Sequence, residues 1–155
     1  MSKQYEHWCD KKYQAKESNF DTGDLARKLV DTLTDWVLCD TAKLTEDMPN
    51  VELKRRRMQK LLDTSEQIEC IVNDANSIYA IYLVDFAERR RKFLIARGLC
   101  FQLTTMLGHI VKYAAPETNI QKYLDLQNDI KNIGGKIKNI MIKDDKKRKE
   151  KMKQY

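Results

Sequence analysis

Between Met58 and Tyr79 the chain sets Met58, Leu61, Ser65, Ile68, Val72, Ala75 and Tyr79 at alternating spacings of three and four residues. A strand turns successive side chains to opposite faces, so this rhythm fits a helix that buries one stripe. Leu25, Leu29, Leu33, Trp36, Val37 and Leu44 repeat it, as do Ile120, Tyr123, Leu124, Ile130, Ile133, Ile137 and Ile140. Little interrupts the pattern, because the 155 residues include only five Gly and two Pro. The expectation is an all-α chain of four helices joined by short connections, an up-down-up-down four-helix bundle over residues 21–143.

The expected boundaries follow from local chemistry. Asp21 or Thr22 caps the first helix, and "TEDMPN", with Pro49, ends it. The second helix begins near Val51 and weakens at "NDANS". "DFAE", Asp85 to Glu88, has capping-box form and opens the third, which runs to about Tyr113. Pro116 closes the next turn, and the fourth helix spans Glu117 to about Lys143. Gly134 and Gly135 lie inside it, where they read either as a close approach by a neighbouring helix or as a backbone break. Residues 1–20 form a polar arm with scattered aromatics, either mobile or an extra helix. Residues 144–155 form a basic tail with too little apolar surface to fold alone, expected to be frayed or disordered.

The net charge of +6 is unevenly placed. Residues 51–60, 85–113 and 143–155 each carry a local surplus of +4, so the remainder is net acidic at −6. Concentrated cation of this kind favours a polyanionic partner. No apolar run approaches membrane-spanning length and no signal peptide opens the chain, so the expectation is a soluble, cytoplasmic protein without membrane contact. Cys9, Cys39, Cys70 and Cys100 form no C-x-x-C pair, and with only His7 and His109 no metal site or cofactor is expected. No E-x-x-H pair, phosphate-binding glycine loop or nucleophile–histidine combination points to an enzyme.

The run "DFAERRRKFLIARG" divides when wound on a helix. Arg90 and Arg97 fall within about 20° of each other, on the side of Phe86, Phe93, Leu94 and Phe101. They either reach bundle acids such as Asp63, Glu66 or Asp129, or emerge at a subunit seam. Ile95, Leu99, Met106 and Ile110 form a second apolar stripe, which favours cover by another subunit. Arg91 and Lys92, flanked by Arg89, are freer to meet phosphate. So are Lys54, Arg55, Arg56 and Arg57, and Lys146, Lys147 and Arg148 of the tail.

The succession "DTLTDWVLCDTAKLTEDMP", "KRRRMQKLLDTSEQIECIVNDANSIY", "ERRRKFLIARGLCFQLTTML" and "LQNDIKNIGGKIKNIM" resembles the accessory variability determinant (Avd) family of diversity-generating retroelements. That family shares its bundle architecture with the four-helix proteins encoded in ribosomal-RNA intervening sequences. The similarity covers about residues 22–143 and lies in helix order and in short islands, "AN-IY", "ERRR" and the Ile-Gly-Gly of the last helix. The family's Phe-Pro-Lys-like turn is here "LTEDMPN". The resemblance implies a basic, ring-like homo-oligomer, typically a pentamer. It further implies a non-catalytic partner of a reverse transcriptase and of its template RNA or RNA–DNA hybrid. A helical protein-interaction module, or a DNA-mobilisation accessory protein, is the alternative reading.

Overall fold

A computed structural model describes residues 20–114 and 118–154 of the chain. These form four helices: α1 (Asp21–Ala42), α2 (Val51–Ser77), α3 (Leu83–Lys112) and α4 (Gln121–Lys153). There is no strand among the described residues. Contacts across the bundle run in opposite chain directions: Thr64 meets Met106 while Asp74 meets Lys92, and Thr104 meets Gln127 while Arg89 meets Asp144. Neighbouring helices are therefore antiparallel. α2 and α4 each pack on both α1 and α3, whereas α1 and α3 sit diagonally opposite.

The periodic stripes make the core. Leu61, Ile68 and Val72 of α2 are fully buried with Leu33 of α1, Phe93, Leu103 and Leu107 of α3, and Ile130 and Ile137 of α4. Ser65 is buried too, and its hydroxyl donates to the Leu62 carbonyl at 2.7 Å, so the stripe tolerates it. Tyr79, placed last in the same stripe by spacing, lies beyond the end of α2 and is 84% exposed.

Several ends differ from expectation. α1 starts at Asp21 with Phe20 in the cap position and no side-chain cap, so Asp21 and Asp24 act through the helix dipole instead. α3 begins at Leu83, ahead of Asp85. The Asp85 carboxylate accepts from the N–H groups of Tyr82 (2.9 Å) and Ile81 (3.0 Å), which holds it below the usual carboxylate range. Asp85 thus completes the first turn rather than preceding it. α4 starts at Gln121, later than expected; Pro116 and Glu117, like most of the 1–20 arm, lie outside the described residues.

The basic tail is the largest correction. α4 continues as helix to Lys153 instead of fraying after Lys143. Asp144 and Asp145 explain the extension: the first binds Arg89 of α3, and the second pairs with Arg148 at 2.9 Å and Lys149 at 3.4 Å, one turn on. α3 also departs from expectation, being long and apolar enough by length and composition to cross a membrane. Leu94 to Val111 contains Arg97 as its single charged residue. Ala96, Cys100, Leu103 and Leu107 of this stretch are buried in the bundle, an arrangement compatible with a soluble protein. Burial pushes the Cys100 thiol up to about 11.

The glycine pair neither breaks α4 nor admits a neighbour. A Cβ on Gly134 would meet Cys100 Cβ at 4.0 Å, an ordinary contact, and one on Gly135 would meet nothing within 4 Å. The close approach lies at Gly23 of α1, where a Cβ would stand 2.9 Å from Asn73 Oδ1 of α2. Gly135→Ala is accordingly expected to stabilise the fold by about 1 kcal/mol, raising the melting temperature by about 2–4 °C in a thermal scan.

Candidate nucleic-acid interface

The cationic residues singled out from sequence separate into two groups at opposite ends of the bundle. Lys54, Arg55, Arg56 and Arg57 occupy the first turns of α2. Arg89, Arg91 and Lys92 lie at the start of α3, beside the end of α4 with Lys146, Lys147 and Arg148. Along α2, Arg57 and Ala75, the level of Arg89, are about 27 Å apart at ~1.5 Å per residue.

At the α2 end, Arg55 is engaged, binding Glu46 at 2.8 Å and Glu52 at 3.2 Å. Lys54, Arg56, Arg57 and Lys60 are exposed, and none forms an ion pair among the described residues. Arg56 and Lys60 also line an open groove of about 870 Å³ between the end of α1 and the start of α2, which Arg55, Glu52 and Asp63 share, so its charge is mixed. Among the described residues no carboxylate pairs with the four exposed cations, which leaves them open to phosphate.

Arg89 does not belong with the phosphate candidates. Its Nε donates to Asp144 Oδ2 at 2.8 Å and its Nη2 to Oδ1 at 3.3 Å; both side chains are 13% exposed. Its Nη1 also donates to the carbonyls of Ala75 and Ile78, each at 3.1 Å, at the end of α2. One guanidinium therefore joins α2, α3 and α4 and adds a donor to two carbonyls at the C-terminus of α2, of which Ala75 also accepts from the Ile78 N–H. Helical spacing alone pointed to Arg90 and Arg97 for this kind of role. The burial pattern shows why it falls to Arg89: the core stripe is Phe86, Phe93, Ala96 and Cys100, and Arg89 sits in its line.

Arg90 is exposed and in no ion pair among the described residues, while Arg97 stacks over Phe101 with its Cζ 5.6 Å from the ring centroid. Neither reaches Asp63, Glu66 or Asp129. Arg91 is held by Glu88 at 2.7 Å and Lys92 by Asp74 at 3.4 Å. Exposed pairs like Arg91–Glu88 are weak, screened by solvent, and yield readily to a phosphate. Arg148 is paired within its own helix, whereas Lys146 and Lys147 are exposed. Of the second apolar stripe, Leu99, Met106 and Ile110 pack partly against the core, leaving Ile95 42% exposed.

Two polar features escaped the sequence. Asp40 of α1 accepts from Lys122 Nζ at 3.1 Å and from the Tyr123 hydroxyl at 3.3 Å, and Lys122 also sits over the Trp36 ring at 4.9 Å. This closes the α1–α4 pair, and burial pushes the Tyr123 phenol up to about 12. On α2, the Glu69 Oε2 is buried with no hydrogen-bond partner among the described residues, and burial, then Asp31, raises its pKa. Among the described residues no three His, Cys, Asp or Glu side chains are placed to share a metal ion.

Family models, curated proteins and solved structures were each compared with the chain. None matches. The functional reading therefore rests on the residues themselves and on the resemblance in helix order.

Proposed function

We propose that the chain is a non-catalytic, cytoplasmic accessory protein that assembles as a ring-like homo-oligomer and binds a reverse transcriptase with its template RNA or cDNA hybrid. The observation that carries the polyanion half of this reading is the set of exposed cations on α2, Lys54, Arg56, Arg57 and Lys60, none of them in an ion pair among the described residues. Contacts of this type supply affinity without base selection, as suits a partner that must tolerate any template. The reverse-transcriptase half and the pentameric state come from the resemblance to the accessory variability determinant family.

The alternative, a protein-interaction or DNA-mobilisation accessory module, draws on the exposed apolar face of α3, which fits a protein better than a phosphate backbone. The test is co-purification with a reverse transcriptase encoded beside this gene, with and without its RNA. The expected result is a stable ternary complex whose cDNA yield depends on this chain. A chain that binds neither component overturns the reading.

A further inference from the structure

We propose that the outer face of α3 is covered by a second copy of this chain, which receives it in the acidic groove between its α1 and α4. The proposal rests on the homo-oligomeric part of the reading above and names the two surfaces that meet.

On α3, Leu83, Leu94 and Phe101 are 40%, 46% and 63% exposed and fall with Arg90 and Arg97 within about 60° of one another. The stripe runs about 27 Å along the helix at ~1.5 Å per residue. It is too continuous to be scattered surface, and its cations lack carboxylate partners among the described residues.

The acid that would complement it lies elsewhere on the same molecule. α1 carries five aspartates against Arg27 and Lys28. α1 and α4 pack more sparsely than the other neighbours and leave a groove of about 400 Å³. Leu25, Leu29, Leu126 and Ile133 give it apolar walls, while Asp31, Asp35 and Asp129 line it as exposed carboxylates in no ion pair among the described residues, with Lys28 also present. An apolar stripe with two arginines thus faces an apolar groove with three carboxylates.

Because α1 and α3 are diagonal, one copy cannot satisfy its own groove. Pairing two α3 faces about a two-fold axis near Leu94 would set each Arg90 against the other copy's Arg97, a like-charge contact. The contact is therefore head-to-tail, which closes into a ring where the rotation permits.

The test uses the full chain and two variants, Arg90→Glu/Arg97→Glu and Asp31→Lys/Asp35→Lys, all at exposed or half-buried positions, with helicity checked by circular dichroism. Sedimentation is expected to show an assembled wild type, two monomeric variants, and renewed assembly when the variants are mixed, because the reversed α3 face and the reversed groove are again opposite in charge. In that mixture the intact α3 face of one variant also meets the intact groove of the other. Phe101→Ser, a surface change in the monomer, is expected to weaken assembly about tenfold. A monomeric wild type, a groove variant that assembles normally, or a mixture that stays monomeric overturns the proposal. Both variants keep the α2 cations, so their RNA affinity reports separately on the nucleic-acid reading.

Discussion

Arg89→Ala is expected to lower the melting temperature by about 6–12 °C, corresponding to about 3 kcal/mol in a domain of this size. The substitution strands Asp144 at a site where it is 13% exposed and takes a donor from the Ala75 and Ile78 carbonyls, of which Ala75 keeps the Ile78 N–H. The loss comes less from removing an attraction than from leaving desolvated groups unpaired. Arg89→Lys should recover little, because an ammonium cannot present the planar fork that reaches a carboxylate and two carbonyls at once. Arg90→Ala, one residue on, should change the fold's stability by no more than about 0.5 kcal/mol, as expected of an exposed side chain without a partner. Thermal scans of the three variants at low protein concentration make the comparison. Equal melting of Arg89→Ala and Arg90→Ala would sink the assignment.

The second large effect is on binding. Lys54→Glu/Arg56→Glu/Arg57→Glu should reduce affinity for structured RNA by about 10²–10³-fold at low salt, because three phosphate contacts become three repulsions. These side chains are exposed and outside every ion pair among the described residues, so the helicity and melting of the variant should match wild type. Arg55→Glu is a poor substitute in this experiment: it sets like charges against Glu46 and Glu52 and so disturbs the α1–α2 connection as well. Because the α2 cations and those of α3 and α4 stand at opposite ends of the bundle, reversing the first set should weaken binding without abolishing it.

The fold was legible because one stripe per helix was enough to specify it. From Met58 to Ala75, every residue chosen by spacing is buried, and the structure adds only Thr64 beside them. Boundaries were harder, since Asp85 fits both a cap and a third helical position, and only the hydrogen bonds from Tyr82 and Ile81 distinguish them. The tail misled for a related reason. Its composition lacks a core, but its helix is continuous with one that has a core, and Asp144 anchors it to a residue 55 positions away. Within the arginine run, helical spacing could separate the four cations by direction but not say which direction faced the core. Two apolar stripes on α3 made that choice ambiguous, and the structure resolves it in favour of Arg89.

The most direct test of the account is the affinity of the purified chain for structured RNA or RNA–DNA hybrid, measured between about 50 and 200 mM salt. The account predicts tight binding at the lower salt and a linear fall of log affinity against log salt. The slope should flatten by about two to three units in the Lys54→Glu/Arg56→Glu/Arg57→Glu variant. Absence of binding at low salt, or binding indifferent both to salt and to this charge reversal, would contradict it.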